Sequence, residues 1–350
     1  MKPRGERKRS AMTAVFLLWA ALGIGCAHQT ASLPGSPARP ASAAAEAPQT
    51  PPSKVRFQFA WPDQLELHAR SEMEKLQGED ESSLRPEVTV QQTSIIRADR
   101  AGENLRVRFE TTSLDVCAAI PQLTSMTHDI MEAMGNYSIV VDPQGALREV
   151  EGVEIITRKM SESLDNIQDP QVKANLQKLL EPMLSPKFQT QAIAKDWDTK
   201  IGSLAGKELV AGEQNWAESE SETTIPFVGP VRIPYTTEIG DLKSVPCTPE
   251  PDAQPCVEVQ FRTSPTTQNL KTFLEKALQK VQAMAAQKLP AVEIRDFSTV
   301  VLTTLVLEPD TMIPHRVSEQ ATTLFDLQAE LNHLHRINVQ KQTTVFTLAR

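Results

Sequence analysis

Two cysteines in the second half of the chain have a spacing that predicts a covalent bond between them. Cys247 and Cys256 flank the eight-residue, Pro-rich segment TPEPDAQP, and both flanks have the composition of extended strands. Cysteines placed in this way can meet across the neck of a loop, so we predict a disulfide, which stabilises the fold by roughly 2.5–3 kcal/mol. The alternatives are two exposed thiols, which are unfavourable outside the cytoplasm, and a zinc site, for which the segment does not supply four ligands.

A third cysteine and two histidines are further candidates. Cys117 lies in the apolar stretch 114–120, which predicts a buried and inert thiol. His333 and His335 have the alternate spacing that places two imidazoles on one face of a strand, as in a metal-ligand pair. Because no carboxylate or third imidazole is close in sequence, we predict surface histidines and neither a metal nor another cofactor.

The sequence contains no complete catalytic constellation. No GxSxG, HExxH, Walker, GxGxxG or CxxC motif is present. The acids Glu149, Glu151 and Glu154 cluster, but acids around a helix start favour its dipole and need no catalytic role. The run Thr127-His128-Asp129 is explained as the cap of a helical turn. We therefore predict no catalytic residue and no enzymatic activity.

The first 25 residues have the organisation of a secretory signal. Residues 1–12 carry five basic side chains against one acid, and an apolar run over 13–25 follows. An apolar run of about 12 residues is too short to cross hydrocarbon about 30 Å thick, which needs roughly 20 residues in a helix. Residues 1–25 therefore predict a cleaved signal peptide and not a membrane-spanning helix.

The end of this run, Gly23-Ile24-Gly25 followed by Cys26, resembles the lipobox of bacterial lipoproteins. In that family the cysteine carries the lipid, palmitate included, and becomes the mature N-terminus. The family usually has Leu where this chain has Gly23. The residue after the cysteine is Ala27, which in the family implies outer-membrane sorting. The resemblance implies a bacterial cell-envelope protein, anchored through lipid on Cys26 and facing the periplasm or the cell surface; an ordinary secretory signal with an incidental cysteine is the alternative.

Processing would change the charge and leave a tether. Loss of residues 1–25 removes five basic residues and one acid, which changes the formal net charge from −8 to −12. A body this acidic is repelled by nucleic acid, so we predict no nucleic-acid partner. Residues 26–54 consist mainly of Ala, Pro, Ser and Thr, which predicts a disordered tether behind the lipidated cysteine. The folded body is then 55–350, as one domain or as two that share a sheet.

Alternation and helical periodicity divide this body into elements. Period-two patterns over 55–59 and 105–110 predict strands, and the turn sequence at 142–145 predicts a hairpin. Helical spacing with Pro at the first position predicts helices further on, and their ranges are 153–167, 170–184, 186–200 and the long amphipathic 267–289. Strands are predicted between and after them, at 207–211, 215–221, 225–235, 235–245, 257–263, 300–307, 314–321 and 328–348.

The predicted elements follow the order strands, helices, and then strands around one long helix. This order predicts the α+β class, as a large curved antiparallel sheet with helices packed on one face. The prolines in 225–235 predict a bent edge strand. The run 300–307 is apolar at consecutive positions, which predicts a strand covered on both faces. The segment Gly212–Trp216 before a strand resembles uncharacterised bacterial envelope lipoproteins, loosely over 57–350, and this resemblance implies a fold without an activity.

These features lead to one function hypothesis and two rivals. The leading hypothesis is a non-catalytic, lipid-anchored envelope protein whose sheet and helices enclose an apolar groove for a hydrophobic ligand or an envelope partner. A structural or scaffold lipoprotein would have a filled sheet interior instead. An envelope hydrolase would show a polar cleft with perturbed carboxylates.

Overall fold

The computed structural model describes residues 54–119, 121–165, 170, 173–174, 177, 184–210, 215–225, 229–250, 254–265, 275, 292–329 and 332–349. The first half contains β1 Lys54–Arg56, β2 Leu65–Gly78, β3 Arg85–Ala101, β4 Asn104–Ala118, α1 Pro121–Met134, β5 Tyr137–Val141, β6 Leu147–Glu151, α2 Val153–Asp165 and α3 Pro186–Trp197. A π-helical turn, Asp198–Gly202, extends α3. The second half contains β7 Glu208–Val210, β8 Asn215–Ile225, β9 Gly229–Pro246, β10 Pro255–Pro265, β11 Val292–Leu307, β12 Pro314–Ala329 and β13 Asn332–Leu348.

Eleven of the described strands form one antiparallel sheet made of two meanders. The order is β6-β5-β4-β3-β2-β13-β12-β11-β10-β9-β8. Strands β2 to β6 therefore step outward from the centre on one side, and β8 to β13 step inward on the other. The pairing of β13 with β2 joins the two meanders over twelve residue pairs, from Ile337↔Gly78 to Leu348↔Leu67. Strands β1 and β7 form a separate two-stranded sheet.

This architecture shows that the predicted α+β class, with helices packed on one face, is wrong. The described chain is mainly β, with only three α-helices beside the eleven-stranded sheet. Strand β12 has 16 residues and is twice as long as the predicted 314–321, whereas the predicted 328–348 covers the whole of β13. The prediction ended β12 early because its Thr, Gln and charged residues resemble those of turns. A strand with one solvent-exposed face tolerates such residues, and Thr favours extended backbone.

Two further strand predictions need correction. The segments 225–235 and 235–245 belong mostly to one strand, β9. Its prolines Pro230 and Pro234 lie where β9 pairs with β8 alone, because pairing with β10 reaches only to Tyr235↔Pro265. Strand β11 is not covered on both faces, since Leu302 on its outer face is 47% exposed.

Two of the three described α-helices agree with their predicted positions, whereas α1 was not predicted and contains residues 127–129, the predicted cap, in its interior. Helix α2 occupies most of 153–167, and α3 begins after Ser185, whose Oγ accepts a hydrogen bond from the Phe188 amide at 3.2 Å. The predicted helices at 170–184 and 267–289 lie largely outside the described residues. In the part of the chain that the structure describes, none of the helices combines the length and apolarity that crossing a membrane requires.

An aromatic cluster of Phe59, Trp61 and Trp197 fastens α3 to the inner face of the sheet. The three ring centroids lie 5.6 to 6.0 Å apart. Both indoles also donate a hydrogen bond, from Trp61 Nε1 to the Met312 carbonyl at 3.1 Å and from Trp197 Nε1 to the Gly145 carbonyl at 2.9 Å. Buried indole N–H groups need such acceptors, so these two hydrogen bonds fix the orientation of both rings in addition to the ring contacts.

The N-terminal predictions fall outside the described residues. Residues 1–53 contain the predicted signal peptide 1–25, the lipidated Cys26 and nearly all of the tether. These three assignments therefore stay predictions.

Candidate ligand-binding cavity

A cavity of about 160 Å³ lies between α3 with its π-helical turn and the inner face of the sheet. Its walls include side chains from seven adjacent strands, Ile139, Phe109, Ile96, Ala69, Phe346, Val317 and Leu305 in order across the sheet from β5 to β11. In a flat sheet those outer strands would be roughly 29 Å apart, at about 4.8 Å per strand. A cavity of this size touches both only because the sheet curves around it.

The walls of the cavity are mostly apolar. From the helical side, Ile193, Trp197 and Ile201 face it at the four-residue spacing of one helix face. From the sheet side, the period of two places alternate residues of each strand on the wall. The largest apolar side chains that line it are Trp61, Phe109, Tyr137, Trp197, Leu305 and Phe346.

A row of polar side chains crosses the inner face of five strands. This polar belt consists of Gln92, Ser71, Thr344, Gln342, Glu319 and Thr303, which are linked by the strand register. Ser71 Oγ and Thr344 Oγ1 are 3.0 Å apart, and the Gln92 amide donates to Ser94 Oγ at 3.1 Å and to Thr111 Oγ1 at 2.7 Å. The cavity is therefore amphipathic, with four members of the belt (Gln92, Ser71, Thr344 and Gln342) on its wall.

An ion pair on the helical side faces the polar belt. Asp196 Oδ1 and Lys200 Nζ are 2.5 Å apart, one helical turn from each other, and both line the cavity. Burial raises the pKa of Glu319 to about 7; Lys200 lowers it, Asp196 raises it, and a hydrogen bond with Thr303 lowers it. Burial and the nearby Asp196 also raise the pKa of Tyr137. The polar side thus holds two carboxyl groups against one ammonium group.

Gln342 has a buried acceptor atom without a partner. The residue is 5% exposed and lines the cavity. Its Oε1 has no hydrogen-bond partner in the described ranges. An unpaired buried amide oxygen costs about 1–3 kcal/mol relative to a paired one, so native proteins rarely retain one without a reason.

The β5–β6 turn presents the carbonyl that holds Trp197. Asp142 accepts hydrogen bonds from the amides of Gln144 and Ala146, both at 2.9 Å, and from Arg148 Nη2 at 2.5 Å. Burial alone would raise the pKa of Asp142, but these donors outweigh it and hold that pKa below its usual range. Gly145 closes the turn at a φ of +83°, and a Cβ there would meet the Phe59 ring at 2.8 Å.

The predicted disulfide is confirmed. Cys247 and Cys256 are bonded, with a Cα–Cα distance of 4.9 Å, between the end of β9 and the start of β10. The His315 ring lies close by: one of its nitrogens and the two sulfurs are within 4.8 Å of one another. His315 Nε2 is 3.0 Å from Glu308 Oε1. In the disulfide the sulfurs are not thiolates, so this group does not form a cysteine metal site.

The prediction for Cys117 is wrong. Cys117 is a free cysteine and it is exposed. Its neighbour Val116 is 8% exposed. Because adjacent residues of β4 face opposite sides of the sheet, burying Val116 turns the thiol toward solvent.

The structure adds a carboxylate to the two candidate histidines. His333 Nε2 is 2.7 Å from Asp326 Oδ1, and His335 Nδ1 is 3.4 Å from Asp326 Oδ2. These contacts, from His333 first, lower the pKa of Asp326. The side chains of His333 and His335 are 48% and 37% exposed, as expected for surface histidines.

The residues that make the cavity amphipathic were not singled out from the sequence. The helical spacing of Asp196 and Lys200 was visible as an i, i+4 pair. Nothing in one sequence places that pair over Glu319 and Gln342, more than a hundred residues away. The strand register, which creates this meeting, depends on the complete sheet.

The hydrolase alternative predicts a polar cleft with perturbed carboxylates. Glu319 is a carboxyl group of that kind. The adjoining cavity is mostly apolar, and among the described residues the group that hydrogen-bonds to Glu319 is Thr303. The absence of enzymatic activity stays a prediction.

The fold and the cavity define a class, namely an all-antiparallel β protein with a helix laid across the inner face of a curved sheet. No protein-family model and no curated protein matches the chain. A solved structure described as lipid–protein interactions in lipovitellin is similar over 83% of this chain, with 8% sequence identity and a TM-score of 0.33. This chain spans 26% of that chain. A similarity at this TM-score carries no argument about function.

Proposed function

We propose that the protein binds a hydrophobic small molecule, without chemical conversion, in the cavity beneath α3. The observation that carries the proposal is an apolar-walled cavity of about 160 Å³ inside an otherwise packed core. An engineered apolar cavity of about 150 Å³ in another protein binds benzene. The cavity therefore suits a ligand segment of one ring or a short alkyl chain.

The indoles of Trp61 and Trp197 on the cavity wall supply the assay. Titration with the neutral probe N-phenyl-1-naphthylamine should quench tryptophan emission with saturation at one equivalent. Saturable displacement of the probe by 1-octanol should follow. Absence of saturable binding by either compound would refute the proposal.

A matched pair of Ala→Leu variants locates the binding site. Ala69 lines the cavity, whereas Ala98 is fully buried in the same core and does not line it. Ala69→Leu should fill the free space, lower probe affinity at least tenfold and leave the free energy of unfolding almost unchanged. Ala98→Leu should destabilise the protein by about 1–3 kcal/mol through overpacking and retain probe binding. Equal probe affinity in both variants would place the site elsewhere.

We further propose that the protein acts at the bacterial envelope, anchored by lipid on Cys26. The support is the signal-like segment and the lipobox resemblance. Cys26→Ser should move the protein from the membrane pellet to the soluble fraction and abolish labelling with palmitate. Persistent pelleting of the unlabelled variant would refute the anchor and leave the ligand proposal standing.

A further inference from the structure

The strongest unassigned feature of the cavity is the acceptor on Gln342. Its cross-strand neighbours are Glu319 and Met73, and its side chain lies on the cavity wall. Of the described buried side-chain atoms that lack a hydrogen-bond partner, Gln342 Oε1 is the one that belongs to a cavity-lining residue.

The hydroxyl and amide groups beside Gln342 already have partners. Ser71 and Thr344 share a hydrogen bond, and both hydrogens of the Gln92 amide are directed at hydroxyl oxygens. None of these groups donates to Gln342 Oε1, so a group that enters the cavity can supply its missing donor. A hydroxyl or an amide N–H meets this requirement, whereas a carboxylate or phosphate supplies only acceptors.

The charges around the polar belt also disfavour a charged ligand. Asp196 and Lys200 are paired at 2.5 Å, and Glu319 lies within electrostatic range of both. When all three are ionised, their sum is one negative charge. An anionic head group would be repelled there, and a buried ammonium would lose its hydration.

Resting on the proposed function, we propose that the ligand is an uncharged amphiphile whose head group donates a hydrogen bond to Gln342 Oε1. Its apolar segment lies against Trp61, Trp197 and Phe346, and its hydroxyl-bearing head lies at the polar belt. Fatty alcohols and monoacylglycerols have this chemistry, and free fatty acids do not.

The test compares 1-octanol with octanoate, which share a chain length and differ in head group. Displacement of N-phenyl-1-naphthylamine from the full-length chain carrying Cys26→Ser is measured at pH 8, where octanoate is ionised. We expect 1-octanol to bind at least tenfold more tightly than octanoate. Equal affinities, or tighter binding of octanoate, would overturn the inference while the proposed function stands; binding of neither compound, nor of the probe, would refute the proposed function itself.

Variants of Gln342 connect the preference to one atom. Gln342→Leu should reduce 1-octanol affinity several-fold and leave the melting temperature unchanged or higher, because it removes an unpaired buried amide. Gln342→Glu retains an acceptor and should weaken octanoate further than 1-octanol. The matched control Gln320→Leu changes an exposed glutamine on the neighbouring strand and should alter neither affinity. An unchanged preference for 1-octanol in a folded Gln342→Leu protein would overturn the assignment.

Discussion

The aromatic cluster and the polar belt both contribute side chains to the wall of one cavity and satisfy their polar atoms differently. In the aromatic cluster the indole N–H groups of Trp61 and Trp197 each donate to a backbone carbonyl. In the polar belt, Gln342 Oε1 is buried without a partner and Glu319 has a raised pKa. The first region is complete within the chain, whereas the second retains unused hydrogen-bonding capacity.

This difference separates a structural role from a binding role. A region whose hydrogen bonds are all internal contributes to the free energy of unfolding, and changes there should lower stability. A region with an unpaired buried acceptor is less stable than it could be, and changes there should alter binding more than stability. The following predictions test this division.

The largest effect is expected for Trp197→Ala. The substitution removes a buried indole and its hydrogen bond to the Gly145 carbonyl, and should lower the free energy of unfolding by about 3–5 kcal/mol. Urea unfolding followed by circular dichroism measures this change. The control Trp197→Phe keeps an aromatic ring without the donor, and should cost clearly less than Trp197→Ala. A loss below 1 kcal/mol for Trp197→Ala would show that this region does not hold α3.

Local chemistry was predictable from the sequence where short segments decide it. The cysteine pair, the proline at the first position of α3 and the 142–145 turn all involve residues fewer than ten positions apart, and each is found as predicted. The length of β12 was not predicted, because its second half is identified by its pairing with β13 and not by its own composition.

The cavity was predicted only in outline. An apolar groove was expected, and its helical wall follows from the spacing of Ile193, Trp197 and Ile201. The polar belt has no counterpart in the local sequence, because Gln92 and Gln342 come to one face through the β13–β2 pairing that joins the two ends of the body. Such non-local register is set by the whole hydrophobic pattern.

A matched pair of glycine substitutions tests how tightly the aromatic cluster is packed. Gly145 and Gly102 both have positive φ, at +83° and +67°. A Cβ on Gly145 meets the Phe59 ring, whereas a Cβ on Gly102 has nothing within 4 Å. Both Ala variants carry left-handed strain of about 1–2 kcal/mol, and Gly145→Ala adds overpacking of about 1–3 kcal/mol. Thermal unfolding should therefore give a lower melting temperature for Gly145→Ala than for Gly102→Ala. Equal melting temperatures would mean that the structure around Phe59 accommodates the added methyl group.

The smallest effect is expected for Glu319→Gln, and it depends on pH. The folded-state pKa of Glu319 is about 7, above the reference value of 4.5, so the folded protein binds the proton more tightly than the unfolded chain does. The free energy of unfolding should therefore fall as pH rises from about 4.5 through 7 and stay low above it. The full shift corresponds to about 3 kcal/mol, and partial exposure of the side chain reduces the expected change to about 1–2 kcal/mol. Urea unfolding at pH 5 and pH 8 should show this loss in the wild type and not in Glu319→Gln, with the exposed control Glu103→Gln following the wild type. The same loss in Glu319→Gln would assign the pH dependence to another titrating group, and the polar belt would then be as complete as the aromatic cluster apart from Gln342.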